Sequence, residues 1–478
     1  MHTHLFSGGK DMSFSDFLNS RREVCRALVK ELGKSFAYVG ILGSDVRSTA
    51  IRVNRATSDI GEGGAAECGF VIKMHNGRAF FEYSIDDISG DIAALAARIT
   101  KAVRSEESLA DREISVPLPK DEPLVKSFER PCDFESFSDE ELLAKCVEIR
   151  DAILAKSDKL LNATVALMPF TVSKLFVSKN RELDQFYSWV NAMAVAVYRE
   201  GEKMVMAREG TYSNIMAEAL STLPDHIDRL VTKCEKLATA KPIVPGVYDV
   251  ITDPSISGLI AHEAFGHGVE MDQFVKDRAL AKYYVGDYVA SPICNMRDGA
   301  AATFSTASYF FDDDGVLAQD TQIIKDGILV SGISDLVSAT ELGTEPTGNG
   351  RRESYKRKAY SRMTNTFFCP GKDKLEDMIA SIKHGYMLFE TNNGMEDPKN
   401  WQIQCTAEYG IEIIDGKLTD NYVSPVVMSG SVPELLKSIS MVSDDFKIIG
   451  SGSCGKGYKE WVRVSDGGPA LKVRVKLA

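Results

Sequence analysis

The chain has 478 residues, 44% of them apolar, which is more than one core absorbs when cores stop growing near ~250–300 residues, so two or three domains are expected. Its 56 basic and 68 acidic side chains give a formal charge of −12. That excess of acid leaves no electrostatic footprint for a phosphate backbone and argues against nucleic acid as a partner.

Residues 1–11 read as an extension ahead of Met12, with His2 and His4 on a flexible end rather than in a metal site. The opening Met-His-Thr-His lacks the basic and apolar stretches of a signal peptide, and no apolar run reaches the ~20 residues that span a bilayer. A cytoplasmic protein without a membrane partner is expected. From Ser15 to Leu32 the apolar positions Phe17, Leu18, Val24, Leu28, Val29 and Leu32 keep helical spacing and Gly33 supplies a stop, so a helix opens the chain. Strand-like segments near 36–42, 49–55, 69–74 and 80–83 and a helix over 92–103 complete an N-terminal α+β domain, 12–115. Four prolines between Ser115 and Pro131 predict a linker.

Ser138 with Glu141 three residues on is a capping-box pattern that starts a helix running to Lys156. Strands near 163–168, 174–177 and 192–198 and a helix over 224–237 make a central α+β domain, 132–240. After Lys241-Pro-Ile-Val-Pro-Gly come Gly-containing turns and short apolar strands, ending in the alternating Leu471, Val473, Val475 and Leu477. This stretch, 245–478, is expected to be the catalytic domain. The fold class expected is α+β: N-terminal α/β units with a mixed sheet, followed by a largely antiparallel, β-rich C-terminal domain carrying a metal-binding helix.

The nine cysteines are scattered, odd in number and without a Cys-x-x-Cys pair, so reduced thiols are expected and not a disulfide framework. Two of the seven histidines, His262 and His267, fall five apart with Glu263 directly after the first. In the common His-Glu-x-x-His pattern the imidazoles lie at i and i+4 on one helix face. An i, i+5 pair on a regular helix points ~140° apart, and a π-type turn would bring the two back together. A distortion is therefore predicted at 264–267, with Gly266 as the place where the backbone loosens and Leu259 and Ile260 anchoring the opposite face. Glu263 is placed to act as general base on an activated water.

A working zinc site takes three protein ligands and leaves one position open. Glu270 and Asp272 are local candidates that also suit orienting an imidazole N–H. Cys454 is the distant one: flanking glycines expose its thiol, and Lys456 favours thiolate. The same stretch, Gly450 to Lys456, resembles a phosphate-binding loop, but Gly457 stands where the magnesium-binding hydroxyl belongs and a strand, not a helix, is expected to follow.

Taken in order, His-Glu-Ala-Phe-Gly-His-Gly-Val-Glu-Met-Asp (262–272), Thr-Gly-Asn-Gly-Arg-Arg-Glu-Ser-Tyr (347–355), Arg-Met-Thr-Asn-Thr (362–366) and Cys-Gly-Lys (454–456) closely resemble the signatures of TldD-type metallopeptidases of the TldD/PmbA family. The resemblance covers the C-terminal domain and, more loosely, the N-terminal half. It implies that His262, His267 and Cys454 hold Zn2+ and that Glu263 is the catalytic base. It also implies a dimer, with a PmbA/TldE-type paralogue or a second copy of the chain, acting on unfolded, small or modified peptides. Beyond Lys456 the run Gly-Tyr-Lys-Glu-Trp-Val-Arg-Val departs from the family pattern, as does 400–412.

The cations of 349–362 have two readings. Arg351, Arg352 and Arg362 can grip a substrate carboxylate or oxyanion, with Asn349 and Tyr355 donating to its backbone, or an Arg–Glu353 pair can simply hold a loop. Two rival functions remain. In one, the zinc is structural and the protein is a regulatory or chaperone-like binding protein that modulates a toxin–antitoxin or gyrase system. In the other, Cys454 is the nucleophile of a cysteine hydrolase, which a metal-bound thiolate disfavours.

Overall fold

The computed structural model describes residues 13–64, 66–107, 115–450, 452–458 and 460–478; the extension at 1–11 lies outside them. The first helix, α1 (Asp16–Leu32), starts where Ser15 Oγ accepts from Leu18 N. It is followed by β1 (Tyr38–Val53), β2 (Ser58–Glu62), β3 (Glu67–His75), β4 (Phe80–Ile85), α2 (Ile92–Glu107) and β5 (Leu124–Glu129). Then come α3 (Asp139–Leu154), β6 (Leu160–Ser178), β7 (Arg181–Glu200), β8 (Lys203–Ser213), α4 (Met216–Thr222) and α5 (Ile227–Thr239). Both halves of the Ser138/Glu141 capping box are formed at α3.

All these strands build one mixed sheet in the order β4-β3-β1-β6-β7-β5, with β2 on β1 and β8 on β7. The segments 12–115 and 132–240 therefore share a sheet, since β1 pairs with β6 from Gly40 to Val53. Helices α1 and α2 cover Ile41, Phe70 and Ile72, while α3, α4 and α5 cover Ile51, Val165 and Ala194.

The strands are longer than their alternation suggests. Ser44, Asp45, Ser48 and Thr49 interrupt the apolar pattern of β1 yet are buried: Asp45 accepts from Ser15 Oγ at the start of α1, and Val46 between them packs with Ala300 and Tyr309 of the C-terminal half. Lys73 and Lys174 reach across to Asp314 and Asp313. The predicted linker also contains a strand, β5, parallel to β7.

The C-terminal half begins with β9 (Gly246–Thr252) and α6 (Pro254–Leu259). Here β9 pairs with Leu471–Leu477 and in parallel with His384–Asp397, and the latter also pairs with Gln402–Ile414, so the strands run round a closed circuit. A second, six-stranded sheet contains Asn365–Phe368 and Ser465–Gly468, which are parallel to each other. Every other pairing between strands of this half is antiparallel, so the architecture is α+β with a mixed N-terminal sheet and a β-rich C-terminal domain. The buried Ile256, Ile260, Ala261, Ala264 and Phe265 fix α6 and the segment after it among these strands.

Candidate metal centre

Asp253 caps α6, its Oδ1 accepting from Ile256 N at 2.8 Å, and Pro254 occupies the first turn where its missing N–H costs nothing. Past Leu259 the helix widens into a π-helix over Ile260–Gly266, in which His267 N–H donates to His262 O. A 3-10 turn, His267–Val269, ends it. The distortion starts four residues earlier than the expected 264–267. Gly266 is needed for clearance, since a side chain there would collide with Met363 Sδ, and its backbone stays helical.

The widened turn brings the two imidazoles together, with ring centroids 5.1 Å apart and planes at 89°. Cys454 arrives from the hairpin Ser453–Lys456/Glu460–Arg463, its Sγ 3.6 Å from His267 Nε2. A ligand atom from each of His262, His267 and Cys454 lies within 4.8 Å of the others, close enough to chelate a metal ion. His262 Nδ1 is buried with no hydrogen-bond partner. Two imidazoles and a thiolate suit a borderline-soft divalent cation, so the residues fit such an ion. The phosphate-loop alternative lacks its helix, because a hairpin strand follows Lys456.

Burial disfavours charge on all three side chains, but they offset it mutually. Cys454 is held well below its ordinary value by His267 and His262, and Cys454 raises His262 to about 9. Lys456, which the sequence suggests as the thiolate's cation, is instead engaged by Glu270 at 2.9 Å, Asp272 at 2.6 Å and Ser361 O at 3.0 Å. Glu270 in turn accepts from or pairs with His267 Nδ1 at 3.1 Å, which fixes the ring so that Nε2 faces the cluster. Arg362 is fully buried and clamps the hairpin by donating to Cys454 O at 2.6 Å and Glu460 O at 3.2 Å. Glu263 Oε2 stands 3.9 Å from His267 Nε2, beside the three donors.

Residues 245–477 match the model of the PmbA/TldA metallopeptidase C-terminal domain. A metalloprotease of Methanothermobacter thermautotrophicus is 27% identical over 458 residues, covering 94% of this chain and 96% of that one. A metalloprotease TldD homolog of Haemophilus influenzae is 36% identical over 229 residues, 48% of this chain and 47% of the relative. Among solved structures, a proposed modulator of a DNA gyrase from Thermotoga maritima superposes with a TM-score of 0.76 at 17% identity, covering 96% of this chain and all of that one. Residues 245–477 thus match the C-terminal domain of PmbA/TldA metallopeptidases, the whole chain is similar in sequence to metalloproteases, and its fold is that of the solved neighbour.

In this fold a cavity of about 1020 Å3 opens on the candidate metal centre. One wall comes from β7, β8 and α4, including Asn191, Arg208 and Tyr212; the other carries His262, Glu263, Ser453 and Asp466. None of Asn349, Arg351, Arg352, Tyr355 and Arg362 lines it. Asn349 is wholly buried and donates to Asp298 and to Arg362 O, which leaves it no access to a substrate. Arg351 donates to Met363 O at 2.7 Å, and Arg352 pairs with Glu82 at 3.1 Å. The partner of Arg352 is thus Glu82 and not Glu353, which accepts from Trp461 N. Tyr355 donates to Asp86, its ring lying over Gly69. Asp272 meets Lys456 and Lys276.

Two acids at the centre escaped the sequence. Glu396 has its carboxylate buried against the Gly268 backbone, and burial lifts its carboxyl well above the usual range. Asp466 borders the cavity, and burial raises it to about 6. Neither lies in a recognisable motif; only strand pairing brings them to the helix that carries His262 and His267.

Proposed function

We propose that this chain is a zinc-dependent peptidase of the TldD branch, acting on unfolded, small or modified peptides. The observation that carries it is the convergence of His262, His267 and Cys454 with a carboxylate, Glu263, that stands beside the donors without joining their set. A tetrahedral zinc ion with Zn–N near 2.0 Å and Zn–S near 2.3 Å sets neighbouring N and S donors ~3.5 Å apart. The Cys454–His267 distance of 3.6 Å is consistent with that spacing. His262, His267 and Cys454 would hold the ion, leaving one side toward the cavity. Zinc bound there supplies Lewis acidity for activating water near neutral pH.

The chain's own residues do the rest. Glu270 and Lys456 hold His267 in orientation, and Arg362 keeps the Cys454 hairpin in place. Glu263 takes the proton of the attacking water and passes it to the departing amine. The cavity between the two halves accepts extended chain. We further propose a cytoplasmic location, supported by nine free cysteines, and a dimer with a PmbA/TldE-type paralogue or a second copy. No helix among the described residues is long and apolar enough to cross a membrane. The test is cleavage of an unfolded protein such as casein before and after chelation: loss on chelation and recovery with zinc supports the reading, and chelator-resistant cleavage contradicts it.

A second reading has its own support in the likeness to a proposed gyrase modulator: the metal stabilises a regulatory binding protein that cleaves nothing. Buried donors suit a structural ion as well. The readings separate on Glu263→Ala, which a purely structural site tolerates without consequence.

A further inference from the structure

Asp466 borders the cavity without a part in the chemistry above. It lies on Ser465–Gly468, and α6 presses against that strand so closely that a side chain at Gly258 would collide with the backbone of Asp466 and Gly467. Strand and metal-binding helix are thereby held in one position. Asp466 shares a wall with His262 and Glu263 and is within electrostatic reach of both, yet its carboxylate is not one of the three donors that converge.

Several other buried carboxylates of this half are engaged by the protein. Asp298 accepts from Asn349, Thr364 and Thr366, Asp313 is paired with Lys174, and Glu270 with Lys456 and His267. The Asp466 carboxylate accepts no hydrogen bond and makes no ion pair within 4.0 Å among the described residues, though Arg463 is within electrostatic reach. A half-buried carboxylate that lacks a protein donor and faces a cavity is complementary to a cationic group on a ligand. In a peptide the α-ammonium nitrogen lies ~2.5 Å from the carbonyl carbon of its own residue. An acid beside the centre therefore meets that ammonium when the bond under attack is the first in the chain.

We propose that Asp466 binds the free α-ammonium group of the substrate, making the centre an aminopeptidase; this rests on the peptidase reading. Water adds across the first peptide bond: its oxygen joins the carbonyl carbon, the C–N bond breaks, and the proton accepted by Glu263 goes to the released amine. The products are one amino acid and a shortened peptide, with no oxidant or reductant required.

Tetra-alanine and N-acetyl tetra-alanine differ at this one charge and make the test. Calorimetric titration of the zinc-loaded Glu263→Gln protein, chosen to slow turnover, is expected to show the free-amine peptide bound about tenfold or more tightly than the acetylated one. Adding Asp466→Asn is expected to abolish the difference while the zinc content stays unchanged. Equal binding of the two peptides by the Glu263→Gln protein, a preference that survives Asp466→Asn, or zinc lost with Asp466→Asn overturns the assignment. Turnover by the wild-type chain separates the two claims. Cleavage of both peptides at equal kcat/KM contradicts the aminopeptidase and spares the peptidase. Cleavage of neither, with the binding preference intact, contradicts the peptidase and spares the ammonium site.

Discussion

Glu263 and Cys454 have different jobs at one centre, and substitution separates them. Glu263 is not one of the three converging donors, so Glu263→Ala is expected to keep one metal ion per chain while peptide cleavage falls by ~10²–10⁴-fold, the range for loss of general acid–base assistance. Cys454→Ser replaces the soft donor, and metal content measured after dialysis is expected to fall well below one per chain. Full cleavage by Glu263→Ala would remove the general base from the account. These residues were legible because adjacent residue types and spacing carry chemistry that a sequence displays. Glu396 and Asp466 were not, since an acid among 68 others acquires meaning only when a strand delivers it to the metal-binding helix.

The widened helix is the element on which the centre depends. The i, i+5 spacing of His262 and His267 is incompatible with a regular α-helix facing one ion, and that incompatibility alone predicts the π-turn seen over Ile260–Gly266. Its extent was not predictable, because it depends on Met363 and the strands around it. Likewise the long β1 and β6 looked like separate short strands, as polar residues within them are buried by tertiary partners, among them Asp45 and Ser173, which accept from Ser15. The element also needs its clamp: Glu270 orients His267 and is held by Lys456. Glu270→Gln is expected to weaken metal affinity ~10–100-fold without unfolding the chain, as measured by competition with a chromogenic chelator. An unchanged affinity would show that the ring needs no such support.

At the scale of the molecule, the Thr-Gly-Asn-Gly-Arg-Arg-Glu-Ser-Tyr stretch joins the two halves. Arg352 and Lys73 meet Glu82, and Lys73 also reaches Asp314. Burial opposes ionisation of Glu82, but Arg352 and Lys73 more than compensate and hold its carboxyl at about 2, against 4.5 ordinarily. A carboxyl depressed on folding stabilises fully above its unfolded value, so this contribution is present above about pH 4.5 and is lost as the pH falls toward 2. Glu82→Gln leaves buried cations uncompensated and is expected to cost about 3–5 kcal/mol, with a flatter dependence of the thermal midpoint on pH in that window. A variant as stable as the parent would show that other contacts hold the halves together. Sequence alone suggested substrate contacts for these arginines because charge and glycine look alike in a binding loop and in a buried joint.

X-ray absorption at the zinc edge, on the purified wild-type protein supplied with one equivalent of zinc, interrogates the shared cation itself. The expected spectrum has one sulfur at ~2.3 Å and two imidazole nitrogens at ~2.0 Å, with the sulfur shell missing in Cys454→Ser. A shell of oxygen and nitrogen alone in the wild-type protein would contradict a centre built from His262, His267 and Cys454.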